Sequence, residues 1–125
     1  MVSEIRTADA PAAIGPYSQA VRVNDLVFVS GQIPANPLTG TLVEGIENQT
    51  RQVFENMSAV LKAAGTGLDK VIKATVFLTD MGNFQTVNGV YSSYFKGEVL
   101  PSRSAVEVSA LPKGSLIEIE CIAAC

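Results

Sequence analysis

The order of periodicities along the chain constrains its fold more tightly than any single motif. Ala20 to Val23 and Leu26 to Ser30 read as strands on either side of Asn24-Asp25, a pair suited to a tight hairpin turn. Ile46, Val53, Phe54, Met57, Val60, Leu61 and Ala64 then form an apolar stripe at helical spacing that stops at Gly65, a suitable C-terminal cap. Val71 to Leu78 returns to two-residue alternation. After it, Thr79 to Asn83 offers N-cap candidates, and Phe84, Val87, Tyr91, Tyr94 and Phe95 follow at mostly helical spacings. Two more alternating segments, Arg103 to Val108 and Ile117 to Cys121, complete the chain. Each helix links strands that can lie parallel in one sheet, and right-handed crossovers place both helices on the same face. The expected fold is α+β, a mixed sheet with two helices on one face, in a single domain over residues 1–125.

Alternation also assigns the faces. Ile72, Ala74, Val76 and Leu78 are expected on the helix-covered face with Ile117, Ile119 and Cys121. Arg103, Ala105 and Glu107 oppose Ser104, Val106 and Val108, and Glu118 and Glu120 oppose the isoleucines. The uncovered face would then collect Phe28, Val71, Phe77, Ala105 and Ile122 beside these charges. Apolar groups in such numbers call for a cover, and further copies of the chain supply one. The charged groups are therefore expected in or beside a subunit interface.

Charges in the middle of strands need a reason. An Arg withdrawn from water must find either a protein carboxylate or an anionic ligand. Its planar fork of donors matches a carboxylate. For Arg103 the residues alone leave both readings open: a pair with Glu118 or Glu120 across adjacent strands, or a ligand clamp.

Composition removes other chemistries. With no histidine among 125 residues, the Ser-His and Cys-His nucleophile systems and the usual zinc and haem ligand sets are absent. Neither a phosphate loop nor a dinucleotide fingerprint is present, so no cofactor is expected. Cys121 and Cys125 lie about 13 Å apart along one strand, too far for a bridge between them, and read as reduced, buried thiols. The start of the chain has no signal-peptide core and no apolar run reaches membrane-spanning length, so the expectation is a soluble intracellular protein, cytoplasmic, with the mitochondrial matrix left open. Asn48-Gln49-Thr50 and Asn56-Met57-Ser58 match the glycosylation pattern but fall on the first helix, and are set aside.

Several blocks in order, Pro11-Ala-Ala-Ile-Gly-Pro-Tyr17-Ser-Gln, Val29-Ser30-Gly31-Gln-Ile-Pro34, Lys73-Ala-Thr-Val-Phe77, Thr86-Val-Asn88, Pro101-Ser-Arg103, Leu111-Pro-Lys-Gly114 and Ile117-Glu118-Ile-Glu120, closely resemble the RidA (YjgF) family of small imine deaminases. The resemblance covers essentially the whole chain. It implies a chorismate mutase-like fold, a homotrimer with a site at each interface, and hydrolysis of reactive 2-imino acids and their enamine tautomers, such as 2-iminopropanoate and 2-iminobutanoate, to 2-oxo acids and ammonia without a cofactor. Carried over by motif, Arg103 clamps the substrate carboxylate and Glu118 holds or deprotonates the attacking water. Tyr17 closes the pocket from the neighbouring subunit, Ser30, Gly31 and the backbone of Ala105 line it, and Asn88 supports it. Many bacterial members have cysteine where Ala105 stands, which rules out a thiol role there but not main-chain contacts. Ser102 replaces a usual alanine and is equally small.

Beside these roles stand plainer ones. Glu120 reads as structural, Glu107 as a solvated or interface charge, Lys73 as an ion-pair partner rather than a Schiff-base amine, and Tyr91, Tyr94 and Phe95 as core. Some members of the resembling family are described as ribonucleases or translation inhibitors. Here 9 basic residues against 12 acidic ones, with pI near 4.8, argue against a surface that tracks phosphates. A chaperone-like holdase, which needs exposed apolar surface, is the third reading.

Overall fold

A computed structural model describes residues 1–125. Six strands form one sheet: β1 (Val2–Ile5), β2 (Ala20–Val23), β3 (Leu26–Gln32), β4 (Val71–Leu78), β5 (Ser102–Glu107) and β6 (Ile117–Ala124), in the spatial order β1-β2-β3-β6-β4-β5. The helices are α1 (Ile46–Ala63) and α2 (Phe84–Tyr94). β6 runs antiparallel to both β3 and β4, and β4 is parallel to β5, so the sheet is mixed as expected. Only β1, paired antiparallel with β2, escaped the sequence reading. Its four residues are too short a run, and too mixed in polarity, to show a period.

Local chemistry sets the element ends. Asn24 turns the β2-β3 hairpin at φ 51°, a left-handed conformation that asparagine tolerates. Gly65, at φ 83°, closes α1: its N–H bonds to the Lys62 carbonyl and the Thr66 N–H to that of Leu61, which satisfies carbonyls the helix leaves free. Before α2, the Asp80 side chain accepts from the Gly82 N–H, and Glu107 Oε1 accepts from the Met81 N–H at 2.8 Å. Glu107 is therefore an anchor for the turn that starts α2, not a merely solvated charge. No helix is long and apolar enough to cross a membrane.

The core lies between the helices and one sheet face. Val53, Phe54, Met57, Val60 and Leu61 of α1 pack with Val27, Val76, Leu78, Ile117 and Ile119, all fully or almost fully buried. Burying each such side chain contributes about 1.5–3 kcal/mol. Phe54 stacks on Tyr94 at 4.6 Å and meets Tyr91 and Phe95 edge-on, which joins α1 to α2.

Three facial assignments differ from the alternation read off the sequence. A register shift between Val71 and Lys73 against β6 lets Val71 turn inward, where it is buried, and leaves Ile72 exposed. In the parallel pairing of β4 with β5, Arg103, Ala105 and Glu107 align with Ala74, Val76 and Leu78. They share the helix-side face, and Ala105 packs against the core. The open face carries instead Phe28, Phe77, Val106 and Ile122 with Glu118 and Glu120. Cys125 also departs from expectation: Cys121 is a buried free thiol, whereas Cys125 lies just past the end of β6 and is exposed.

One buried polar side chain fastens the end of β3 to α1. Asn56, 1% exposed, donates from Nδ2 to the Ile33 and Ala35 carbonyls at 3.0 and 2.9 Å and accepts from Gln52. Asn56→Ala strands two carbonyls and should cost about 2–3 kcal/mol, lowering the melting temperature by roughly 6–12 °C in a calorimetric scan. A loss under one degree would mean that water serves these groups equally well.

Candidate active site

Apart from Tyr17, the site residues singled out in the sequence fall into two groups on opposite faces of the sheet. Around Arg103 the first group is built by β5 and α2. The guanidinium lies 4.8 Å from the Tyr91 ring centroid and 5.2 Å from that of Phe84, and Nη1 donates to Asn88 Oδ1 at 2.7 Å. No carboxylate pairs with it; the one ion pair in the protein joins Arg6 to Glu4. Pairing with Glu118 or Glu120 across adjacent strands is thereby excluded, since β4 separates β5 from β6 and the side chains point to opposite faces. Arg103 is exposed, and no protein carboxylate offsets its charge. Of five donors in the fork, one is engaged.

The second group lies on the open face. An irregularity between Val29 and Gln32 breaks the β3-β6 register, and both Ser30 and Gly31 turn toward that face. Ser30 Oγ donates to the Ser18 carbonyl at 2.6 Å, tying β3 to the loop before β2. A Cβ at Gly31 would stand 2.7 Å from Glu118 Cδ, so a side chain there would displace the Glu118 carboxylate. Glu118 thus occupies the space that a side chain at 31 would need. Ser30 and Glu120 line a groove of about 340 Å³ with Ser18, Val21, Phe28 and Ile122.

Glu118 is half-buried and no protein donor reaches its carboxylate. Burial first, and the neighbouring Glu120 charge second, hold its pKa above the usual carboxylate value. A carboxylate in that condition suits proton abstraction from water better than a salt-bridged one. Lys73, exposed on the same face, has no acidic partner, so the expected ion pair is not formed.

Tyr17 belongs to neither group. It stands half-exposed on a loop that Gly15 turns at φ 128°, its hydroxyl accepting from the Ile14 N–H at 3.3 Å. Its ring edges a cavity of about 480 Å³ with Glu4, Arg6, Thr7 and Gln19.

Sequence reasoning treated Phe84 and Tyr91 as packing residues and missed that they hold Arg103. A signal was present. Phe84, Asn88 and Tyr91 are spaced four and three apart, so one helix face sets an amide between two aromatic rings.

The model of the endoribonuclease L-PSP family matches residues 7–125. A RutC family protein of Pyrococcus horikoshii is 56% identical over 98% of both chains. The 2-iminobutanoate/2-iminopropanoate deaminase of Mus musculus is 50% identical over 95% of this chain and 88% of its own. A Rid family protein of unknown function from Yersinia pestis has a solved structure that superposes with a TM-score of 0.97, at 57% identity over all of both chains.

Because the folded protein holds Glu118 above its ordinary value of 4.5, its charged form weakens the fold wherever it is ionised. Glu118→Gln should therefore raise the melting temperature at neutral pH, and that gain should vanish as the pH drops below 4.5, where folded and unfolded chains both carry the proton. Glu120→Gln should lower the titration midpoint of Glu118, read from its carboxyl carbon resonance. A midpoint at or below the ordinary value in the native protein would refute this account of its surroundings.

Proposed function

The chain belongs to the endoribonuclease L-PSP family, which includes the RutC and Rid proteins, and from that premise we propose that it hydrolyses reactive 2-imino acids to 2-oxo acids and ammonia. One observation carries the reading: the Arg103 guanidinium is held by two ring faces and an amide oxygen, not by a carboxylate. Its charge and four of its donors remain for a ligand, and a planar carboxylate fits them in bidentate fashion.

The reaction asks little more. A protonated imine is already electrophilic, so orientation and a nearby base suffice. As water attacks C2, a C–O bond forms and the C=N π electrons pass to nitrogen, while Glu118 accepts the water proton. Glu118 returns that proton to nitrogen, and as ammonia leaves C2 the hydroxyl O–H bond breaks, its proton passing back to Glu118 and its electrons closing the C=O bond of the 2-oxo acid.

Arg103 and Glu118 face opposite ways in one protomer. A complete site therefore takes Arg103, with Asn88 and the Ala105 backbone, from one copy, and Glu118, Ser30 and Gly31 from the open face of another. Tyr17, on its shaped loop, closes that pocket. Joining two different patches is a heterologous contact, and a closed ring results when the rotation closes; the homotrimer that the family resemblance implies is one such ring. The same packing covers Phe28, Val106 and Ile122.

The family's name favours a second reading, cleavage of RNA. Twelve acidic against nine basic residues give a net charge of −3, a poor surface for a phosphate backbone. Salt-dependent RNA retention by the purified protein would support that reading.

Generating 2-iminopropanoate enzymatically and following ammonia release tests the proposal. Arg103→Ala should cost at least roughly a hundredfold in kcat/KM, and Arg103→Lys, which keeps the charge but loses the fork, should recover only a small part. Glu118→Gln should lose most turnover while still binding pyruvate, and Glu120→Gln should lose far less. An Arg103→Ala protein that assembled normally and worked at the wild-type rate would defeat the reading.

A further inference from the structure

An arginine that binds a ligand must be oriented without being neutralised. Protein carboxylates orient well but take up both the charge and the donors. On the helix-side face Arg103 meets a different arrangement. Phe84 and Tyr91, seven residues apart on α2, present their rings to the guanidinium, and Asn88 between them takes one donor. Cation–π contacts restrain the plane of the fork without engaging its N–H groups. The Asn88 carbonyl oxygen fixes the rotation within that plane.

We infer that the ring faces of Phe84 and Tyr91 are positioning elements of the carboxylate clamp, which set the plane of the Arg103 fork and so the site's preference for a planar anion; this rests on the clamp reading given above. Two further observations fit. Tyr91 is 9% exposed and its hydroxyl has no hydrogen-bond partner, so the fold keeps a phenol whose polar end gains nothing from the protein. Burial, opposed by the Arg103 charge, pushes that phenol above its ordinary value of 10.0. The ring therefore stays neutral and offers Arg103 a π face, not a phenolate that would neutralise it. Phe84 is the first residue of α2, only partly buried, and carries far less of the core than Tyr91, which packs on Phe54 and Phe95.

That difference selects the variants. Phe84→Leu removes one ring face with little damage to packing, Phe84→Tyr restores it, and Tyr91→Phe keeps the face while deleting the hydroxyl. Each is compared with wild type by imino acid kinetics, by 2-oxobutanoate binding in a calorimeter, and by the order of the Arg103 Nε–H group in nitrogen-15 relaxation. Phe84→Leu should raise KM and weaken 2-oxobutanoate binding about tenfold, with kcat within about twofold, because the clamp holds ground state and transition state alike. Its Nε–H group should become mobile. Phe84→Tyr should recover most of the affinity and Nε–H order that Phe84→Leu loses, and Tyr91→Phe, which keeps its ring face, should keep most of both. The inference is overturned if Phe84→Leu leaves Nε–H order and 2-oxobutanoate affinity unchanged, or if Tyr91→Phe loses as much as Phe84→Leu, which would assign the role to the hydroxyl. A native protein that hydrolysed no imino acid would sink the functional reading alone, and the Nε–H comparison would still decide whether the rings hold Arg103.

Discussion

The parallel pairing of β5 with β4, which aligns Arg103 with Ala74 and Ala105 with Val76, commits the arginine to the face that the helices cover. Everything about the site follows from that register. Because side chains alternate with period two, the same pairing sends Val106 to the other face, where antiparallel pairing of β4 with β6 also puts Glu118 beside Phe77. The Arg103 guanidinium and the Glu118 carboxylate are thus separated by the thickness of a sheet. A slip of one residue in β5 would bring Arg103 to the open face and drive Val106 toward α2. Glu107, which anchors the start of α2 through the Met81 N–H, would lose its place in the same slip, and so resists it.

Each half is held in a state that a single chain leaves unsatisfied. Arg103 is oriented but not neutralised, and Glu118 is desolvated but not hydrogen-bonded. The second condition would be a poor choice in a structure built for stability alone, where a charge is either paired or, like that of exposed Arg103, solvated. On the proposed function, both groups meet their partners only when substrate and a second copy arrive. The open face carries the matching apolar signal in Phe28, Val106 and Ile122.

Much of this was legible in the sequence where the period was long and clean. The α1 stripe from Ile46 to Ala64, its stop at Gly65 and the inward face of β6 were read correctly because burial there is one-sided. The alternation within β5 was also read correctly, but not which face each set occupies: Ser102 to Glu107 has small and polar residues on both sides, so hydrophobicity could not choose. Pairing with β4 chose, and that is a tertiary fact. The register shift at Val71 likewise leaves no mark in a run of apolar residues. For the candidate site, the motif resemblance named Arg103, Glu118, Gly31 and Asn88; the structure shows two features that no period in the sequence displays, the aromatic seat under Arg103 and the space beside Gly31 that Glu118 fills.

On the proposed function, a working site draws Arg103 from one copy and Glu118 from another. Coexpressing Arg103→Ala and Glu118→Gln chains at equal levels, purifying the mixed assemblies and measuring ammonia release from 2-iminopropanoate tests it directly. Each variant alone should be nearly inactive, while random assembly leaves one interface in four with both native groups and should restore about a quarter of the wild-type rate. Mixed assemblies no more active than the separate variants would contradict the account.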